Sequence, residues 1–124
     1  RHFDYVVLEK TLQAVNRPLF VLEEMLRVGA AGIVSFPNFG HWQVISSLLL
    51  TGKMPVTPIL PYQWHDTPNI HLFTARDFLD WAEEKRVKIV QGFSWYGDRA
   101  APFSEECFSL AEEVLFVVSR YDQE

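Results

Sequence analysis

The sequence predicts an α/β domain on a parallel-type sheet, with four strands and about three helices. Three observations lead there. Apolar, β-branched runs stand at residues 3–8, 32–36, 87–93 and 113–120, separated by segments of helical spacing, which is the order of a layered α/β fold. The runs are nearly continuous rather than alternating, as in strands covered on both faces. A length of 124 residues allows one hydrophobic core and not two, and 48% apolar with 15% aromatic residues can fill it.

The first run, Phe-Asp-Tyr-Val-Val-Leu, begins at Phe3. Asn16 offers an N-cap ahead of Arg17-Pro18, and Leu19, Leu22, Met25 and Leu26 then recur on one helix face, with Glu23, Glu24 and Arg27 on the other and Gly29 as the stop. The strand at 32–36 closes on Pro37-Asn38, so the first three elements spell a βαβ unit with a right-handed crossover. A second helix is expected over 41–51, where Trp42, Ile45, Leu48 and Leu49 share a face and Gly52 follows. Residues 53–70 contain Pro55, Pro58, Pro61 and Pro68, too many prolines for a helix or central strand, and predict a long ordered loop of the kind that binds ligands or forms a lid. Thr74 followed by Asp77 has the pattern of a capping box, opening a helix with Phe78, Leu79 and Ala82 inside and Glu83, Glu84, Lys85 and Arg86 outside. A strand at 87–93, an irregular connection over 95–110 and a strand at 113–120 complete the chain. The first strand finds a partner in the second, but its other edge needs a cover, from residues preceding Arg1 or from another chain. The fold is therefore expected to be incomplete at its N-terminus.

Composition excludes several function classes. Eleven Lys and Arg against sixteen Asp and Glu give a net charge of −5, with no basic cluster, which disfavours nucleic acid and anionic membrane as partners. Cys107 is the one cysteine, so neither an internal disulfide nor a cysteine zinc site can form within the chain, and a reducing, cytoplasmic setting is expected. No apolar stretch approaches the roughly 20 residues of a membrane span, and no signal peptide is visible. Ser35 lacks a Gly-x-Ser-x-Gly elbow, and Cys107 follows Glu105-Glu106, whose charges disfavour a thiolate, so nucleophilic catalysis is not expected. Trp95, Tyr96, Phe103 and Phe108 read as core lids or subunit contacts rather than a stacking platform.

The segments FDYVVLEKTLQAV, EEMLRVGAAGIVSFPNFGHW and GKMPVTPILPYQWHDTPNIHLFTARDF closely resemble the methionine-biosynthesis protein MetW family, a bacterial family with a class I S-adenosylmethionine-dependent methyltransferase fold. The first segment is common to many such methyltransferases, whereas LPYQWHDTPNIH is far more specific. The resemblance implies the C-terminal part of a Rossmann-like class I methyltransferase fold, a mostly parallel sheet with a final antiparallel strand. Residues 1–124 would then be a single partial domain, the C-terminal half to two thirds of the whole, with the cofactor-binding half upstream. In agreement, no Gly-x-Gly-x-x-Gly run lies between a strand and a helix. S-adenosylmethionine is implied for the full-length protein, and no cofactor is expected in this segment alone. The chain departs from the family where Glu9-Lys10 stand in place of a small polar pair.

Ligands of open α/β sheets bind beyond the carboxyl ends of the parallel strands, which selects residues 9–13 and 36–41. Glu9 and Gln13 are the candidates for cofactor contact, Glu9 through a hydrogen bond to an amino group or as a base. Asn38 and His41 are candidates for substrate or partner contact, although Asn38 could simply cap the helix that begins near His41. In the proline-rich loop, Tyr62, Trp64, His65, Asp66, Asn69 and His71 are dense enough to line a pocket, while Asp66-Thr67-Pro68-Asn69 also reads as an Asx-type turn. Of these, Tyr62, Trp64, Asp66, Asn69 and His71 are taken as substrate or partner residues. His65, Asp66 and His71 match no zinc spacing, and no metal is expected. Two functions stay open. One is a methyltransferase-type enzyme acting on or with a small molecule of methionine biosynthesis; the other is a non-catalytic activating partner of homoserine O-acyltransferase. Self-association is compatible with either.

Overall fold

A computed structural model describes residues 3–58 and 60–121, with the backbone alone at Cys107. Strand β1 (Phe3–Glu9) leads through a short 3-10 turn (Leu12–Ala14) into helix α1 (Pro18–Val28), and strand β2 (Gly29–Pro37) follows without a loop. Helix α2 (Trp42–Thr51) and an irregular stretch come next, then helix α3 (Ala75–Glu84). Strand β3 (Val87–Tyr96) turns into the short strand β4 (Arg99–Pro102), and a second 3-10 turn (Glu105–Cys107) precedes strand β5 (Glu113–Arg120).

The sheet order is β1-β2-β5-β3-β4. β1 pairs parallel to β2, with Tyr5 opposite Ala31 and Glu9 opposite Ser35. β5 inserts between β2 and β3, antiparallel to both, so β1, β2 and β3 run in one direction and the final strand runs against them. The sheet is thus mixed, with the parallel strands and the antiparallel last strand that the family resemblance implies. β4 was not predicted: it lies in the expected irregular connection as a hairpin partner of β3, reached through Gly97 at φ 68°. Four exposed or half-buried residues, Arg-Ala-Ala-Pro, carry too little apolar pattern to register as a strand.

Alternation along β5 shows where the core lies. Val114, Phe116 and Val118 are fully buried, while Leu115 and Val117 on the opposite face are half-buried. Against the first set pack Leu22, Met25 and Leu26 of α1, Phe78 and Ala82 of α3, and Val34 and Phe36 of β2. Four aromatic rings hold this layer together: Phe78 stacks on Phe116 with centroids 5.4 Å apart, Phe36 lies 5.3 Å from Phe78, and Phe103 meets Phe116 edge-on at 5.1 Å. Gly92 leaves room for this cluster, since a Cβ there would stand 2.9 Å from the Phe116 ring.

Several local expectations need correction. β1 is not buried on both faces; it is the outermost strand of the described sheet, and Phe3, Tyr5 and Val7 are exposed. Asn16 caps nothing, because the residue before α1 is Arg17 and no side chain bonds there; Pro18 at the first helical position already removes one orphan N–H. Leu19 points to solvent rather than the core, and β2 begins at Gly29 instead of Gly32. α2 ends as expected, at Gly52 with φ 71°, but its shared apolar face is turned outward: Trp42, Ile45, Leu48 and Leu49 are exposed, and Val44 is the buried residue of the helix. Among the described residues no helix is long and apolar enough to cross a membrane.

The capping box is present. Thr74 Oγ1 accepts from the Asp77 N–H at 3.1 Å and Asp77 Oδ2 accepts from the Thr74 N–H at 3.0 Å. Thr74→Ala should therefore cost about 1 kcal/mol. Chemical denaturation measures it, and an unchanged midpoint would mean that water replaces the cap without loss.

Candidate functional site

The carboxyl ends of the parallel pair β1 and β2 carry the chemistry-bearing residues. Lys10 follows β1 with a left-handed backbone, φ 51°, which its N–H supports by donating to the Ser35 carbonyl at 2.8 Å. The chain then tightens into the 3-10 turn that buries Leu12 and Gln13. Gln13 anchors the proline-rich loop, because its backbone carbonyl accepts from the N–H groups of Ile70 and His71 at 2.7 and 2.9 Å. His71 adds a third tie, its Nε2 lying 2.7 Å from the Val15 carbonyl. The loop is thus pinned across the strand ends rather than hanging free.

Beneath it lies a cavity of about 280 Å³ lined by Lys10, Gln13, Pro37, Pro58, Pro61, Tyr62, Pro68 and Asn69. Three predicted residues, Gln13, Tyr62 and Asn69, meet here. Gln13 is 5% exposed, and its Nε2 donates to the Lys10 carbonyl at 3.0 Å. Since a carbonyl can only accept, this bond orients the amide, and Oε1 is left buried with no partner among the described residues. Asn69 Nδ2 donates to Thr67 Oγ1 at 3.0 Å, as does the Asn69 backbone N–H at 3.1 Å. The turn is therefore organised by the Thr67 hydroxyl and not, as the sequence suggests, by the Asp66 carboxylate. Asp66 is exposed, and its backbone N–H donates to Gln63.

The remaining predicted residues lie apart from this cavity. Glu9 is exposed at the end of β1, and its carbonyl accepts from Thr11. Trp64 is 75% exposed with the His65 ring edge-on to it, 5.4 Å away. It stands with Tyr62 and Asn69 around a small crevice that Phe39 and Met54 also line. His71 borders a different groove of about 290 Å³ between α1 and α3, walled by Leu12, Leu19, Leu22, Phe78 and Trp81. His41 is 3% exposed before α2, its Nδ1 without a partner among the described residues, and burial holds its pKa below the ordinary value against the opposing charge of Glu112. Among the described residues no three His, Cys, Asp or Glu side chains are grouped to hold a metal ion.

Asn38 is a structural hub. Its Nδ2 donates to the carbonyls of Phe108 and Ala111 at 2.7 and 2.9 Å, and its Oδ1 accepts from the N–H groups of Gly40 and Ala75 at 3.0 and 3.2 Å. Ala75 is the first residue of α3, so Asn38 helps cap that helix and not α2. With both amide protons and its oxygen engaged in the interior, it has nothing left for a ligand. The residue that the sequence did not single out is Glu113, beside Pro37 on β5, with Oε1 3.8 Å from Lys10 Nζ. Burial pushes its pKa up; Lys10 opposes the shift and Glu9 adds to it. Only the pairing of β5 beside β2 brings Glu113 to Lys10.

Asn38→Ala should cost roughly 2–4 kcal/mol, since four buried backbone groups lose their partner. Thermal melting checks it, and a loss below about 1 kcal/mol would mean water fills the gap. For Glu113, a raised folded-state pKa means that its favourable contribution is complete below the unfolded value of about 4.5 and is lost as pH rises through the folded value. Glu113→Gln should accordingly raise the melting temperature at about pH 7, with the difference closing below about pH 4. A lower melting temperature at neutral pH would show that the Lys10 pair outweighs burial.

Comparison with known proteins bears on what this arrangement belongs to. Among solved structures, the fold is similar to that of an S-adenosylmethionine-dependent methyltransferase of Thermotoga maritima, with a TM-score of 0.65 and 11% identity over 94% of this chain and 55% of that one. It is also similar to the small RNA methyltransferase HEN1, with a TM-score of 0.56 and 15% identity over 98% of this chain and 14% of that one. At these identities the likeness is one of fold. In sequence, 98 residues are 40% identical to the bifunctional methionine biosynthesis protein MetXA/MetW of Rhodopirellula baltica, covering 78% of this chain and 16% of that protein. The chain therefore spans a small part of that relative and about half of the Thermotoga enzyme. The family model described as methionine biosynthesis protein MetW matches residues 1–118, and with that match and the 40% identity the chain belongs to the MetW family.

Proposed function

We propose that the protein acts in methionine biosynthesis as an accessory partner of homoserine O-acyltransferase, through a methyltransferase-like domain of which residues 1–124 are the C-terminal portion. The observation that carries this reading is the Rhodopirellula relative, whose MetXA and MetW portions share one chain. Joining two proteins covalently raises the effective concentration of each for the other and favours pairs that touch. The surface is suited to contact: Trp64 is exposed beside Tyr62, and α2 presents Trp42, Ile45 and Leu49 outward.

A second reading, S-adenosylmethionine-dependent methyl transfer to a small molecule, is favoured by the cavity at the carboxyl ends of β1 and β2 in a fold shared with such methyltransferases. The described residues fit this cofactor only in part. Gln13 offers an unpartnered acceptor, but Glu9 stands outside the cavity. The glycines in left-handed conformation, Gly52 and Gly97, sit at a helix end and a hairpin rather than between a strand and its helix. The adenosyl group would need residues from the rest of the domain, and a cytoplasmic location follows for a protein of this pathway.

The two readings part in one experiment. Homoserine acylation is measured with purified acyltransferase alone, with the intact protein, and with its Trp64→Ala variant. The native protein should raise the rate several-fold, and the variant should lose most of that gain at an unchanged melting temperature. No activation by the native protein overturns the accessory reading, and formation of S-adenosylhomocysteine in its place favours methyl transfer. In parallel, calorimetry on residues 1–124 should detect no S-adenosylmethionine binding; micromolar affinity would refute the assignment of the cofactor site to the rest of the domain.

A further inference from the structure

Helix α1 packs on β1 and β2 and helix α3 on β3, while β5 runs between β2 and β3. The two helices therefore straddle the inserted strand, and the space between their facing flanks is an open cleft. Both run from the carboxyl edge of the parallel strands to the amino edge, since α1 passes directly into β2, and α3 starts at Asn38 and ends just before β3. Near the carboxyl edge the cleft measures about 290 Å³ and is walled by Pro18, Leu19, Leu22, Phe73 and Trp81, with Asp77 as its carboxylate. Near the amino edge it measures about 310 Å³, walled by Leu26, Trp81 and a group of charged residues. Trp81 belongs to both walls, half-buried with its ring 5.4 Å from that of Phe78, so the two halves form one channel with an aromatic waist. Leu72, 59% exposed, stands in the wall of the first half and also of the crevice beside Trp64, which makes the cleft continuous with that surface.

The two ends differ in charge. Glu23, Glu24, Arg27, Lys85 and Arg120 line the amino end. Glu24 is taken by Arg27 at 2.7 Å, which leaves Glu23 against Lys85 and Arg120, neither of which has an ion pair among the described residues. An excess of positive charge thus faces Asp77 from the other end, in a chain whose net charge is −5. From Leu19 to Arg27 the flank of α1 rises about 12 Å, the length of two to three helical turns. The walls are helices whose backbone groups are already paired, so an extended segment would enter with its own N–H and C=O groups unsatisfied, whereas a helix brings them paired and needs only an apolar stripe. Carboxylates are best placed at the N-terminal end of such a helix and cations at its C-terminal end. With its carboxylates at Lys85 and Arg120, it lies antiparallel to α1 and α3.

We propose that the cleft between α1 and α3 is the docking groove for an amphipathic helix of homoserine O-acyltransferase, with an apolar stripe over Leu19, Leu22 and Trp81 and an acidic N-terminal turn at Lys85 and Arg120. The choice of partner rests on the accessory reading above, and the choice of groove on its shape, its charge and its continuity with the Trp64 surface.

Calorimetry between purified acyltransferase and the intact protein tests it. Leu19→Glu should weaken association at least tenfold. Lys85→Glu combined with Arg120→Glu should weaken it about tenfold and flatten its salt dependence. All three side chains are exposed, so the melting temperature should hold. Arg99→Glu, which lines neither half of the cleft, should leave affinity unchanged. Hydroxyl-radical labelling of Leu19 and Trp81 should fall when the acyltransferase is added. Carbodiimide coupling should join Lys85 to an Asp or Glu on the N-terminal side of the partner's apolar stripe, and a coupled residue on its C-terminal side overturns the docking direction. Native affinity in both cleft variants overturns the groove and leaves the accessory reading standing, whereas absence of any association by the native protein overturns the accessory reading and the groove with it. Shielding of Leu19 and Trp81 in the intact protein alone, at a concentration where sedimentation shows monomer, gives the cleft to the rest of its own chain and overturns the proposal. Dimerisation that Leu19→Glu abolishes gives it to a second copy and overturns it equally.

Discussion

The buried amide of Asn38 is the constraint from which the rest of the structure follows. Three chain segments far apart in sequence end at it: the exit of β2, the start of α3 and the approach to β5. Its own backbone N–H donates to the Glu112 carbonyl at 2.9 Å, which sets β5 beside β2 at the point where Pro37 faces Glu113. Each of these segments has backbone groups that no regular ladder satisfies, and one planar amide with two donors and a two-lone-pair acceptor meets four of them. Behind that junction, the rings of Phe36, Phe78 and Phe116 come into contact because β2, α3 and β5 have been brought to the same place.

Asn38 and Gln13 are both buried amides at the carboxyl edge of the sheet, yet they differ in what remains to them. Asn38 has its protons and its oxygen engaged by backbone, whereas Gln13 uses one proton on Lys10 and keeps an orphan oxygen. An interior polar atom left unpaired is costly, and among the described residues Gln13 carries that cost while Asn38 does not. The loop over the cavity is held by the same residue, through the Gln13 carbonyl, which couples the shape of the pocket to the turn that follows β1.

The outward faces have their own logic. α2 is a well-formed helix with a proper glycine stop, but Trp42, Ile45, Leu48 and Leu49 on its apolar side are exposed. β1 likewise leaves Tyr5 and Val7 exposed. Apolar surface of this extent on one small domain is the usual mark of association.

Local pattern was enough for the elements themselves. Continuous β-branched runs located β1, β2, β3 and β5, the Thr74 and Asp77 pair located the start of α3, and Gly52 located the end of α2, because each depends on neighbours within a few residues. The proline-rich segment was legible as an ordered loop, and its resemblance to the MetW family held over residues 1–118. What could not be read were relations between distant residues. The sequence cannot show that Asn38 is consumed by Phe108, Ala111, Gly40 and Ala75, that Glu113 lies beside Lys10, or that the hydroxyl of Thr67 rather than Asp66 orders the turn. Nor does helical periodicity state which way a face will turn: Trp42, Ile45 and Leu49 have the spacing of a core stripe and point to solvent. Periodicity and capping are short-range and survive in the one-dimensional string, whereas burial and hydrogen-bond saturation depend on which segments the fold brings together, and only the tertiary structure decides that.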